Sequence, residues 1–138
     1  MFNAFPSLLS YALFAPLLIR LAVAAFFAMH AISHFKHKKA VAHEVANKFK
    51  WLSHETAILG VGLLVLGELV LAALFFGGAW TQIASLFAIA GLLKLSFFKR
   101  SLPSYAPFAR STYMLVIVLC LSLLLTGAGL LAFDIPGL

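Results

Sequence analysis

Several ionisable side chains sit within or beside runs where hydrocarbon is expected, and they are the residues with chemistry to offer. Glu68 lies near the middle of the apolar run Gly60 to Gly78 (GVGLLVLGELVLAALFFGG), and Arg20 lies inside another. An ionised group in hydrocarbon is tolerated only with a partner, a proton or a function. His30, His34 and His37 follow an H-x3-H-x2-H spacing, which on a helix puts His30 and His34 on one face with His37 a turn further on. His54 opens the Glu68 run, and at 100° per residue it points about 40° from the Glu68 direction. Lys94 lies near the end of a third apolar run.

The spans fix the expected heights. With one membrane boundary near Phe35 and near Glu55, Arg20 and Glu68 both lie roughly 20 Å inside it. A buried Arg20–Glu68 ion pair facing the bundle interior is therefore expected. It either sets helix register alone or holds a ligand or a proton at Glu68. A membrane-proximal group of His30, His34, His54 and Lys94 is the candidate ligand site, with no catalytic residue assigned. Lys94 most simply snorkels to the interface.

The histidines admit three readings. The simplest, and the favoured one, is that they are interfacial and partly solvated, as His37 and His43 in the basic loop also should be. The second is a quinone head-group or proton-relay site. The third is haem or a metal, because histidines at i and i+4 can share an ion. Membrane di-iron enzymes use such spacings but need more histidines than this chain has, so the cofactor is left open, with haem or metal ranked below quinone and no metal ligands assigned. Triads, phosphate loops and nucleotide fingerprints are absent.

The elements that must position these residues are membrane helices. The 138-residue chain is 64% hydrophobic and 10% charged, against about 45–50% and about 25% for soluble domains. One domain over 1–138 is expected, all-α and integral to the membrane. It is read as an antiparallel four-transmembrane-helix bundle with spans near 16–35, 54–76, 81–98 and 111–131. Residues 36–53 should form a short amphipathic cytoplasmic segment on the membrane surface. Gly77-Gly78 should turn the chain, with Thr81 as an N-cap. Small residues, among them Ala24, Ala31, Gly60, Gly67, Ala88, Gly91, Gly127 and Gly129, should allow close helix approach.

The net charge of +6 does not indicate nucleic acid, because the cations lie between apolar runs. They put both basic loops in the cytoplasm and both termini outside, in a bacterial or archaeal cell membrane. The uncharged start lacks the positive region of a cleaved leader. A single cysteine, Cys120, excludes a CxxC relay and reads as a packing residue.

The chain resembles the DoxX family of small four-helix membrane proteins. LLIRLAVAAFFAMHAISHF (Leu17 to Phe35) is similar to that family's opening helix at Arg20, Phe27 and His30, with Ala31 and His34 where glycine and lysine are usual. GELVLAALFFGGAWTQIASL (Gly67 to Leu86) resembles a second block through Glu68, the glycine pair and Thr81. LTGAGLLAFD (Leu125 to Asp134) resembles the ending. The resemblance implies a membrane subunit of an oxidoreductase system, binding quinone or a similar small redox partner between helices. The expected partners are the bilayer and an oxidoreductase protein, and the sequence leaves open whether the chain forms a homo-oligomer. The alternative is a non-catalytic membrane partner or assembly factor. A transporter or channel ranks below both.

Overall fold

The computed structural model describes residues 14–126, and all regular structure among them is helical. Five helices follow in order: α1 Phe14–Lys36, α2 Lys38–Lys48, α3 His54–Gly77, α4 Thr81–Phe98 and α5 Arg110–Thr126. The expectations for Gly127, Gly129 and Asp134 lie outside the described residues. Three helices, α1, α3 and α4, are long and apolar enough to cross a membrane, and α5 is a shorter apolar helix over its described length.

The outer surface agrees with that reading. Leu18, Leu63, Phe76, Phe87 and Val118 are exposed on four different helices. A water-soluble domain does not expose apolar side chains on this scale, whereas lipid is a suitable solvent for them. The interior is built from small and aromatic residues, including Ala24, Phe27, Ala31, Phe75, Ala88 and Tyr113.

The main packing is α1 against α3 and α4 against α5, while α3 and α4 meet sparingly. The rings of Phe27 and Phe75 stack with centroids 6.0 Å apart, and His34 meets Glu68 seven residues along each helix in opposite senses. These two pairs define one antiparallel register for α1 and α3. α2 continues along the first turns of α3, burying Val41 and Ala42 completely in the same core as Ala57 and Val61. The basic segment is thus a helix, as expected, but its apolar face is used by the protein rather than by a membrane surface.

Local chemistry explains the helix ends. Ser53 caps α3, its hydroxyl accepting from the Thr56 N–H at 3.3 Å. Gly78 ends α3 in the left-handed region (φ 68°), its N–H donating to the Leu74 carbonyl at 2.8 Å. Thr81 is the first residue of α4 rather than its cap; Trp80 takes the cap position at φ 50°, without a side-chain capping bond. The expectation of close approach holds for the alanines, since Ala24, Ala31 and Ala88 are buried. It fails for Gly60, Gly67 and Gly91, where an added Cβ meets nothing within 4 Å.

Residues 99–109 fold over one end of the bundle. Glu44 of α2 accepts from the Ser104 N–H at 3.0 Å and from its hydroxyl at 2.6 Å, and Lys99 donates to the Ala106 carbonyl. Leu102, Tyr105 and Ala106 are buried as a result. Replacing Gly78 by alanine should lower stability by about 1 kcal/mol, because a Cβ is strained at its φ. Gly77→Ala lies in helical backbone with open space around it and should be neutral or stabilising. Thermal unfolding of both variants in detergent checks the contrast.

Candidate functional site

Helix α1 delivers His30 and His34 one turn apart, with ring centroids 4.4 Å from each other and edge-to-face. Helix α3 delivers Glu68 to the same level. His30 Nδ1 lies 2.8 Å from Glu68 Oε1, and His34 Nδ1 lies 2.9 and 3.0 Å from Oε1 and Oε2. All three side chains are buried: His30 and His34 at 1% and 0% exposure, Glu68 at 5%. The solvated reading of these two histidines is therefore replaced. They face inward because the α1 face that carries them packs on α3.

Each imidazole is held from its other side too. The His34 Nε2–H donates to the Tyr105 carbonyl at 2.8 Å, and the Tyr105 ring stacks near the His34 ring at 5.8 Å. His30 Nε2 is 3.1 Å from the Tyr113 hydroxyl, whose oxygen accepts from the Phe108 N–H at 3.2 Å. Phe26 and Phe108 close around His30, with centroids 5.6 and 5.5 Å away. Aromatic walls keep water out, which strengthens every polar interaction inside.

The hydrogen-bond pattern assigns the donors. With only protons present, Tyr113 donates to His30 Nε2, and the His30 Nδ1–H donates to Glu68. His34 must donate from Nε2, because a carbonyl can only accept. One further proton is then shared between His34 Nδ1 and Glu68. The cluster is electrically neutral as a whole, which is what a low-dielectric interior requires.

The partners differ from those expected from span depth. Among the described residues the ion pairs of Glu68 are with His30 and His34, not with Arg20. Arg20 is buried but lies about two turns beyond Phe27 on α1, which in the common register carries it past Gly77. An Arg20–Glu68 pair requires α1 and α3 to share a boundary near Phe35 and Glu55. They do not, because α2 runs alongside the first turns of α3. His54 is at the wrong height for the same reason: it is exposed, roughly 20 Å along α3 from Glu68, and its ring faces His43 at 6.3 Å. His37 is exposed, as expected, and donates to the Ser33 carbonyl. Cys120 is fully buried.

Lys94 is not in the histidine cluster. It lines a groove of about 600 Å³ between α3 and α4, together with Glu68, Gly67, Gly91, Phe27 and Tyr105. Sparse α3–α4 packing and the two glycines create this space. Tyr113 and the Tyr105 carbonyl were not foreseen. A hydroxyl within an apolar run was a usable signal for Tyr113, whereas a carbonyl is present at every residue and gives none.

Glu68→Ala should cost about 3 kcal/mol, because it strands two buried imidazoles. Tyr113→Phe should cost about 1 kcal/mol through one lost hydrogen bond, and His54→Ala should stay within about 0.5 kcal/mol. Denaturant unfolding in mixed micelles reads all three. Comparison of the chain with models of protein families, with curated proteins and with solved structures gives no match.

Proposed function

We propose that this chain is a membrane subunit of an oxidoreductase system that holds a quinone-type molecule in the groove between α3 and α4. One observation carries the reading: an otherwise apolar groove is lined by a buried carboxylate, Glu68, and an exposed cation, Lys94. A volume of about 600 Å³ falls within the usual range for small-molecule sites, which combine apolar linings with few polar groups. A ring with polar carbonyls and an apolar tail matches that distribution. The Phe27 and Tyr105 side chains offer aromatic surface beside the carboxylate, and a groove between helices in contact with lipid gives such a molecule direct access.

In this reading α5 is the fourth span, completing an antiparallel bundle with both termini outside and the basic segments around α2 and Lys99–Arg100 in the cytoplasm. The resemblance to the DoxX family, whose members accompany membrane oxidoreductases, points the same way.

The test uses Trp80, which lines the groove. In a Trp51→Phe background, a water-soluble quinone analogue should quench Trp80 fluorescence saturably. Gly91→Leu, which fills the open space at that glycine, should weaken binding about tenfold, or ~1.4 kcal/mol. Absence of saturable quenching would refute the quinone reading and favour the non-catalytic partner or assembly factor.

A further inference from the structure

His34 lies between two acceptors. Its Nε2 hydrogen is committed to the Tyr105 carbonyl at 2.8 Å, while its Nδ1 faces both oxygens of Glu68 at 2.9 and 3.0 Å. A neutral imidazole carries a single N–H. Neutral His34 therefore presents a bare nitrogen lone pair to a carboxylate, and the centre between them is filled either by a shared proton or by a metal ion. His30 presents the same atom, Nδ1, to the same carboxylate at 2.8 Å.

The ligand atoms of His30, His34 and Glu68 all lie within 4.8 Å of one another. Atoms bound at about 2.0–2.2 Å to one ion stand about 3 Å apart when they subtend a right angle. The carboxylate already lies at that spacing from each imidazole. The surrounding shell is also present. Metal-bound histidines hand their second nitrogen to a carbonyl or similar group, which fixes ring orientation. The Tyr105 carbonyl does this for His34, and the Tyr113 oxygen is placed to do it for His30 once that ring carries its hydrogen on Nε2.

We propose that His30 Nδ1, His34 Nδ1 and the Glu68 carboxylate form a binding site for one divalent first-row transition-metal ion. The donor set defines the class. Two imidazoles and one carboxylate suit ions such as Fe²⁺ or Zn²⁺, whereas Ca²⁺ and Mg²⁺ favour oxygen-rich sites. Three protein ligands leave coordination positions open, and Glu68 borders the α3–α4 groove, so an exchangeable ligand has a route to them. The site does not depend on what occupies the groove. It goes beyond the quinone reading, and quinone binding and metal binding succeed or fail separately.

The full chain in detergent, stripped with a chelator and dialysed, is titrated with Co²⁺ and read by visible absorption. Parallel samples are loaded with Zn²⁺, or anaerobically with Fe²⁺, and measured by elemental analysis. The expected result is one ion per chain, with a raised Tm. Affinity should fall at least tenfold in His34→Gln and in Glu68→Gln, and should be unchanged in His37→Gln, His43→Gln and His54→Gln. X-ray absorption of the loaded wild type requires no variant and should show two imidazoles on the ion. Absence of stoichiometric binding would overturn the proposal. So would binding that survives both core substitutions, or an ion surrounded by oxygen alone.

Discussion

A carboxylate in the middle of an apolar helix is the constraint on which the rest of this structure depends. Glu68 is nearly inaccessible, and a lone charge in such a place would cost several kcal/mol. The protein resolves this by bringing two imidazoles to it, both from α1 and one turn apart. Sliding α1 along α3 by a single turn would separate at least one of these contacts. The carboxylate therefore specifies the register of the most extensively packed helix pair, and the Phe27–Phe75 stack follows the same register.

The second ring nitrogens extend this control. His34 needs an acceptor beyond its ring and takes the Tyr105 carbonyl, so the segment joining α4 and α5 has to close over the site. Glu44 secures that segment from the other side through Ser104. His30 meets Tyr113 and so ties α5 to α1. Four separate parts of the chain thus converge on one carboxylate. The α3–α4 contact is not recruited, and the groove opens there. A fully hydrogen-bonded polar core thus adjoins an open apolar groove.

Much of this could be read from residue types. Helix positions followed from apolar runs and the Gly77–Gly78 turn, and Glu68 stood out as a carboxylate where hydrocarbon was expected, whereas the reading favoured for His30 and His34 was interfacial and partly solvated. Their pairing did not follow. Depth counting placed Arg20 opposite Glu68 by treating α2 as a surface segment outside the bundle. Val41 and Ala42 are instead buried in the common core, which shifts α3 relative to α1 by enough to exchange the arginine for the histidines. Angular periodicity put His54 near the right side of α3 but carried no information on height. The bond that Tyr105 makes to His34 comes from its backbone carbonyl, which no side-chain pattern reveals.

Glu68 is coupled to the histidines in this structure, and a double-mutant cycle measures that coupling directly. Unfolding free energies would be compared for His34→Gln, Glu68→Gln and the double variant, with Arg20→Gln and Glu68→Gln as a parallel cycle. The structure predicts that the His34–Glu68 cycle departs from additivity by more than about 1 kcal/mol, while the Arg20–Glu68 cycle adds within about 0.5 kcal/mol. Additivity at His34 together with strong coupling at Arg20 would contradict it and restore the arginine as the partner of the buried carboxylate.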